Sequence, residues 1–272
     1  MTYIIQATMI CSNMCRISEF DGNSKMVECS SSENENSRLL EVAFDTVSAT
    51  GARVSRIEID GKVYWAKQIE EVKGRSRLFK SSPQCLFDKE LAALENLRKR
   101  GASVPKLIGR TTSFFLLEDA GRTLHSMWCQ TEHDAYGRAH ATEQAAITLS
   151  AMHHKGIAHG RPVARDICWD GVLIRFVDLE NYAPALNCQS GFARDLLLFI
   201  HSVLSHPVQD DAAVMTAINA YNQRDTIGVW DHARTMVRRY GWLEVFTRPL
   251  QLRKYPHALE FKSLPRLRSL FS

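Results

Sequence analysis

Short runs that mix apolar and polar residues begin at residue 39, and their composition and spacing predict β-strands. The predicted strands are LLEVAF (39–44), ARVSRIEI (52–59), KVYWAKQ (62–68), VPKLIGR (104–110) and SFFLLED (113–119). Asp60-Gly61 joins the second strand to the third, and this dipeptide is a strong signal for a β-hairpin. This part of the chain is therefore predicted to be mostly antiparallel sheet.

One longer apolar period interrupts these strands. In CLFDKELAALENLRKRG (85–101), Phe87, Leu91, Leu94 and Leu97 recur at steps of three and four residues. The last residue of the segment is a glycine, which is a common stop signal. The pattern predicts a single helix between the third and fourth strands.

Beyond Gly121 the helical period dominates. The predicted helices are TEQAAITLSAMHHKG (142–156), FARDLLLFIHSVLSH (192–206), DAAVMTAINAYNQ (211–223) and DHARTMVRRYGW (231–242). Two short strands, DICW (166–169) and VLIRFVDL (172–179), flank a second Asp-Gly pair. The chain is thus predicted to be an α+β protein of two lobes, a sheet-rich lobe at 39–120 and a mainly helical lobe at 121–272.

Residues 1–38 are predicted to form a flexible segment before the folded domain. Residues 22–37, DGNSKMVECSSSENEN, are rich in Ser, Asn, Asp and Glu and show no apolar period. Such a composition gives a segment little apolar surface to bury.

Composition and charge exclude several classes of protein. Apolar residues make up 45% of the 272 residues, and the longest apolar run, 196–200, is far shorter than the ~20 residues of a membrane span. A net charge of +4 does not by itself imply nucleic-acid binding, and no nucleic-acid recognition module is present. The N-terminus lacks the basic start and small-residue cleavage site of a signal peptide. We therefore expect a cytoplasmic protein.

Cysteine and histidine spacing predicts neither disulfides nor a structural metal. Seven cysteines is an odd number, and they are scattered from Cys11 to Cys188, so we expect reduced thiols. Five histidines could suggest a metal site, but their spacing to the cysteines matches no metal-ligand pattern: His125, His133, His140, His153 and His154.

Candidate chemistry lies in a series of short motifs. VYWAKQ places Lys67 within a strand, FDKELAALENL places Glu90 early on the following helix, and RFVD ends on Asp178. Between them lie SFFLLEDAG (113–121) and the loop HGRPVARDI (159–167). In order and spacing, from about residue 45 to residue 205, these motifs resemble the protein-kinase-like superfamily.

The resemblance implies a role for each position. Lys67 would bind the α- and β-phosphates of ATP, and Glu90 would brace Lys67. The backbone from Glu118 to Ala120 would hold the adenine, and Asp178 would bind Mg²⁺.

Three further positions follow from the same resemblance. Asp195, at the start of ARDLLLF, matches the buried aspartate that ties down the catalytic loop. Val54 matches the apolar residue that packs on the adenine. Gly51 is the one glycine in VSATGARV where the family has a glycine-rich loop, and the backbone from Thr50 to Arg53 would cover the phosphates.

The loop departs from the family pattern at two positions. Arg161 stands where the family has its catalytic aspartate, and Asp166 stands where it has a metal-binding asparagine. Arginine does not act as a general base because its pKa stays above ~12, but its planar guanidinium binds phosphates and acidic groups. Asp166 offers Mg²⁺ the carboxylate oxygen that hard cations prefer. Catalytic roles are therefore expected for Asp166, Arg161 and Asp178, and metal binding for Asp166 and Asp178.

Within the superfamily, the H-G loop, Asp-Leu-Glu (178–180) and the basic C-terminus resemble bacterial kinases that phosphorylate inner-core sugars of lipopolysaccharide. The expected function is transfer of the γ-phosphate of Mg-ATP to a hydroxyl acceptor, such as a sugar of a lipid-linked glycan. One alternative is a pseudokinase that binds nucleotide or partners without turnover, and another is a protein serine/threonine kinase activity.

The C-terminal region adds a possible membrane contact. Residues 233–271 carry nine basic and two acidic side chains, interleaved with aromatic residues. This pattern suits the anionic inner face of a membrane, and a solvated helix face with core aromatic residues explains it equally well.

Overall fold

The computed structural model describes residues 31–69, 82–129, 135–208, 210–240 and 259–272. Contacts divide the chain into two units, residues 1–37 and residues 38–272. Of the first unit the structure describes only 31–37, which begin a helix. Apart from the start of this helix, the second unit holds all of the features described below.

The second unit is a mixed α+β structure whose first part is built around an antiparallel sheet. The elements are α1 (Ser31–Thr50), β1 (Val54–Ile59), β2 (Lys62–Gln68), α2 (Pro83–Lys99), β3 (Leu107–Arg110) and β4 (Phe114–Glu118). The strands lie in the order β1-β2-β4-β3, and every neighbouring pair is antiparallel. The predicted antiparallel sheet with a helix between its strands is thus confirmed.

Helices and one small sheet form the rest of the described chain. They are β5 (Arg122–Thr123), α3 (Leu124–Cys129), α4 (Ala135–His154), β6 (Ile167–Trp169), β7 (Ile174–Phe176), α5 (Gln189–Leu204), α6 (Asp211–Asn222), α7 (Val229–Tyr240), α8 (Leu259–Lys262) and α9 (Leu264–Phe271). Two 3-10 turns, Leu179–Asn181 and Pro184–Leu186, lie between β7 and α5. The small sheet has the order β5-β6-β7 and joins the end of β4 to the segments that follow α4.

The hairpin between β1 and β2 follows directly from its sequence. Ile59 pairs with Lys62, which leaves Asp60 and Gly61 as a two-residue loop. Both loop residues have positive φ, 54° and 72°. Two successive left-handed residues match the right-handed twist of the strands that they connect. This hairpin fixes the register of β2 and therefore the position of Lys67.

The strand predicted for LLEVAF is wrong, because residues 39–44 lie inside α1. Leu39, Ala43 and Val47 recur every four residues and are buried against the sheet. In a strand Glu41 and Asp45 would share the face of these residues, but both are exposed, so the burial pattern is that of a helix. The helix starts at Ser31, so the last residues of the predicted flexible segment 1–38 are helical as well.

Separate hydrophobic clusters support the sheet and the helices. The buried face of α1 packs with Ile57, Ile59, Tyr64, Ala66 and other side chains of the sheet. A smaller cluster of Phe87, Leu91 and Phe115 joins α2 to β4. The largest cluster lies among α4, α5, α6 and α7 and extends to the C-terminal Phe271.

Several predictions fall outside the described residues. Residues 1–30, His133 and residues 241–258 belong to this group, so the flexible N-terminus and the middle part of the basic C-terminal region stay predictions. Within the described part of the chain, no helix combines the length and the apolar character needed to cross a lipid bilayer.

Candidate active site

Lys67 is the centre of the candidate site. It lies on β2, between β1 and β4, where Lys67 is opposite Val54 on one side and Phe115 on the other. Its Nζ atom donates hydrogen bonds to Oε1 of Glu90 at 2.5 Å and to Oδ1 of Asp178 at 2.9 Å. Only 13% of the Lys67 side chain is exposed, so these ion pairs are largely shielded from solvent.

Glu90 reaches Lys67 from the inward face of α2. The helix starts at Ser82, whose hydroxyl accepts from the Cys85 amide at 3.2 Å, and Pro83 occupies its first position. Both features are typical of helix N-termini. Glu90 then shares the buried face with Phe87 and the leucines of α2. The helix thus places one carboxylate on a face that is otherwise apolar.

Asp178 approaches Lys67 from the opposite direction, two residues after β7. Its backbone is left-handed, with φ 63° and ψ 63°. A non-glycine residue in this conformation is uncommon and stores strain. Val177 donates its amide to the carbonyl of Asp166 at 2.9 Å, so the segments that carry Asp178 and Asp166 lie side by side.

The electrostatic environments of the acidic residues differ. Burial, together with the nearby carboxylate of Asp178, raises the pKa of Asp166 to about 7, although Arg161 and Lys67 act in the opposite direction. Burial acts in the same direction on Asp178, but the Lys67 ammonium outweighs it and lowers the pKa of Asp178 below its usual value. Burial raises the pKa of Glu90 despite the contact with Lys67. Two neighbouring carboxylates with opposite shifts are typical of functional sites.

The loop from His159 to Asp166 is anchored by the buried Asp195 of α5. The Asp195 carboxylate accepts from the His159 amide at 2.6 Å and from the Gly160 amide at 3.0 Å. The His159 ring donates from Nε2 to the Val177 carbonyl at 3.0 Å. Burial lowers the pKa of His159, which favours the neutral ring. His159 therefore has a structural position between the loop and the Asp178 segment.

Arg161 and Asp166 face each other across this loop. Nη2 of Arg161 lies 3.5 Å from Oδ2 of Asp166, and the Arg161 side chain is 46% exposed while that of Asp166 is 10% exposed. Arg161 therefore presents its guanidinium to solvent at the edge of the site, next to a carboxylate that is buried within it.

A cavity of about 320 Å³ extends from Lys67, Glu90 and Asp178 to the end of β4, and neither Arg161 nor Asp166 is among its lining residues. The sequence-predicted residues Lys67, Glu90, Asp178, Val54, Glu118 and Ala120 all line it. Leu117, Cys168 and Val177 add apolar walls. Ala120 makes no backbone hydrogen bond within the described part of the chain, so its amide and carbonyl are available to a planar ligand.

Gly51 does not line the cavity. Its amide donates to the carbonyl of Val47 at 3.1 Å, and its φ of 59° ends α1. This is the usual role of a left-handed glycine after a helix. Gly51 therefore ends a helix, where the sequence predicted a loop after a strand, and its role at the nucleotide phosphates stays a prediction.

Sequence reasoning named the backbone of Arg53 and the Asp-Leu-Glu motif that contains Glu180, but it missed the contact between the Arg53 and Glu180 side chains. Arg53 lines the cavity just before Val54, and its Nη2 atom lies 2.8 Å from Oε2 of Glu180. Glu180 follows Asp178 in the 3-10 turn. The two residues flank predicted site residues in sequence, and this adjacency was the available signal.

Comparison with known proteins gives limited information. No protein-family model matches the chain. An uncharacterized protein of Haemophilus influenzae is 29% identical over 199 residues, which cover 73% of this chain and 82% of that protein. The function must therefore be inferred from the site itself.

Proposed function

We propose that this protein is an ATP-dependent phosphotransferase with a two-lobed, protein-kinase-like fold. The observation that carries the proposal is the placement of Lys67 between Glu90 and Asp178 at the inner end of the cavity. Phosphoryl transfer is mainly positioning and charge stabilisation. The buried Lys67 ammonium, held by one carboxylate and with a second carboxylate beside it, would supply both the positioning and the charge stabilisation.

The arrangement of elements supports the two-lobed fold. The sheet β1-β2-β4-β3 with α2 would form one lobe, and the helices from α3 onward would form the other. Asp195 holds the loop that carries Arg161 and Asp166. The cavity is lined by residues of the first sheet and α2 and by residues of β5, β6 and the segment after β7.

The lining of the cavity fits ATP. Val54, Leu117 and Val177 would enclose the adenine as apolar walls, and the backbone of Ala120 would supply one pair of main-chain groups. Lys67 and Arg53 would face the phosphates from the polar end.

Asp166 and Asp178 fit Mg²⁺. Burial and the charge of Asp178 both raise the pKa of Asp166, and a bound cation would favour its ionised form. Hard divalent cations take oxygen ligands of this kind. Bound Mg²⁺ would supply charge neutralisation to the transferred phosphoryl group.

Arg161 would select the acceptor. Its exposed guanidinium suits an acceptor that carries a carboxylate or phosphate beside the reacting hydroxyl. A sugar of a lipid-linked glycan, as in the lipopolysaccharide-kinase type, meets this requirement. The basic C-terminal region would then hold the protein at the inner face of the membrane, where such an acceptor is made.

Nucleotide binding is the first test. ATP with Mg²⁺ at about 100 times its Kd stabilises the folded state by about 2.7 kcal/mol, which raises the Tm by roughly 5–10 °C for a chain of this size. Lys67→Met should abolish this rise. Lys62→Met is the matched control, because Lys62 lies exposed at the other end of β2 and outside the cavity. An unchanged Tm of the wild-type protein at millimolar ATP would refute the proposal.

A pseudokinase is the second candidate, and one observation favours it. The position of the catalytic base is occupied by Arg161, which is paired with Asp166. Transfer of labelled phosphate from ATP to lipid A–core extracts separates the candidates. Magnesium-dependent nucleotide binding without transfer to these extracts or to a protein mixture would favour the pseudokinase.

A further inference from the structure

His125, Cys129 and His206 form a compact cluster outside the cavity. The Cys129 Sγ atom lies 3.6 Å from Nε2 of His125 and 3.4 Å from Nε2 of His206. One ligand-type atom from each of the three residues lies within 4.8 Å of the other two. For a tetrahedral zinc ion with Zn–N of about 2.0–2.1 Å and Zn–S of about 2.3 Å, the N···S separation is about 3.6 Å.

The fold explains why these three side chains meet. His125 and Cys129 are four residues apart on α3, so they lie on the same face of the helix. His206 follows the end of α5, and its ring packs edge-on against His125 at a centroid distance of 5.3 Å. The ring of Trp128 lies 5.6 Å from that of His206 and supports it from a second side. The three ligand atoms are therefore held by two different elements.

The electrostatics leave the nitrogen ligands neutral. Burial lowers the pKa of His206 to about 4 and also lowers the pKa of His125. Arg138 and Arg165 lie close enough to act against a cation. A metal that binds here displaces the thiol proton of Cys129 to solvent, and the resulting thiolate offsets part of this repulsion.

We propose that His125, Cys129 and His206 bind a divalent transition metal with a preference for nitrogen and sulfur ligands, namely Zn²⁺. The donor set of two imidazoles and one thiolate suits this ion. Cys129 is exposed, so the fourth position is open to water. The histidine spacing alone predicted no such site, because the third ligand lies 77 residues from Cys129 and is brought in by the fold.

The metal would also stabilise the loop from His159 to Asp166 of the candidate active site. The His125 amide donates to the carbonyl of Ala164 at 2.9 Å. The Ala164 amide in turn donates to the hydroxyl of Ser202 on α5 at 3.0 Å. A metal that joins α3 to the end of α5 would therefore link the two elements that hold this loop.

Zinc binding to the full-length, chelator-treated protein tests the site without any nucleotide. Zn²⁺ is titrated against a chromophoric chelator, and Co²⁺ is used as a spectroscopic probe. Cys129→Ser should bind one ion fewer than the wild-type protein, with at least about a tenfold loss of affinity at this site. The thiolate-to-cobalt charge-transfer absorption of this site should disappear.

Cys85→Ser is the matched control, because Cys85 is an exposed free cysteine on α2. Comparison of the two variants also removes any contribution from Cys11 and Cys15. His125→Gln should lose the same ion, and the Tm of each metal-free variant shows that it is folded. Equal zinc stoichiometry and affinity in Cys129→Ser and Cys85→Ser, or no zinc bound by the wild-type protein at micromolar free metal, would overturn the proposal. Neither outcome depends on ATP binding.

Discussion

Asp178 combines an uncommon backbone conformation with a contact to the central lysine of the candidate site. Its backbone is left-handed, its carboxylate contacts the Lys67 ammonium, and its pKa is held below the usual value even though burial acts to raise it. The surrounding structure must compensate for the backbone strain, which costs about 1–3 kcal/mol at such positions. A residue that serves only to end a strand has no need of this conformation.

The first prediction concerns the charge of this side chain. Asp178→Asn keeps the size of the side chain and a residue type that tolerates positive φ, but it removes a carboxylate from the metal site. We expect the Tm increase caused by ATP to become the same with and without Mg²⁺. Thermal unfolding at several Mg²⁺ concentrations measures this difference.

Asp60→Asn is the control for this variant. Asp60 also has positive φ, 54°, but it lies in the β1–β2 turn, away from the cavity. Asn-Gly is as good a turn sequence as Asp-Gly, so the magnesium dependence should be that of the wild-type protein. If Asp178→Asn keeps a wild-type response to Mg²⁺, then Asp178 is not a metal ligand.

At the scale of elements, the loop from His159 to Asp166 depends on close backbone contacts with the turn after Asp178. Gly160 has φ 101°, and a Cβ atom added to it would lie 2.4 Å from the carbonyl oxygen of Asn181. The loop and the 3-10 turn therefore approach each other at a point that only glycine allows.

Gly160→Ala should separate these two segments. Gly171→Ala provides a matched comparison, because Gly171 has φ 100° and nothing within 4 Å of an added Cβ. The shared cost of the left-handed backbone is about 1–2 kcal/mol, and the backbone clash at Gly160 should add about 1–3 kcal/mol. Urea unfolding of both variants measures the difference. Equal free energies of unfolding would contradict the close approach.

Sequence predicted the elements whose signals are local. The Asp60-Gly61 turn, the apolar period of α2 and the apolar helix α5 all appear where their residues indicated. α1 was mistaken for a strand because a six-residue window over LLEVAF ends before Val47, the third member of its buried four-residue period. The error also affected Gly51, which was predicted to lie in a loop after a strand and instead ends that helix.

The residues of the candidate site also divide into those with a local sequence signal and those without one. Lys67, Glu90 and Asp178 could be found because each belongs to a motif with fixed spacing, and the structure brings them together. The contact of Arg53 with Glu180 spans 127 residues, and that of Cys129 with His206 spans 77. No local pattern encodes such pairs, since they depend on how separate elements pack.

For the molecule as a whole, His153 links the helical core to the candidate site. It lies on α4, its Nδ1 atom is 2.5 Å from the Tyr221 hydroxyl of α6, and its Nε2 atom is 3.6 Å from Asp195 of α5. Asp195 is also the anchor of the His159 loop. One fully buried imidazole therefore contributes both to the packing of three helices and to the position of the His159 loop.

The last prediction is an acid dependence of global stability that arises at His153. Burial lowers the pKa of His153 below its ordinary value of 6.5, although Asp195 acts in the opposite direction. A histidine with a lowered pKa contributes its full stabilisation above pH of about 6.5, and this contribution is lost as pH falls towards the folded-state pKa, because the unfolded chain then binds a proton that the folded state excludes. The loss has an upper limit of about 1.4 kcal/mol per pH unit for one group.

His153→Gln isolates this contribution from the carboxylates that titrate in the same range. The variant should be less stable than the wild-type protein at pH values near 8, because it loses the Tyr221 and Asp195 contacts. This difference in the free energy of unfolding should shrink as pH falls below about 6.5, since only the wild-type chain has a residue-153 imidazole that takes up a proton on unfolding. Urea unfolding of both proteins between pH values of about 8 and 5 measures the difference. A stability difference that stays constant across this range would show that His153 is not held neutral by the helical core.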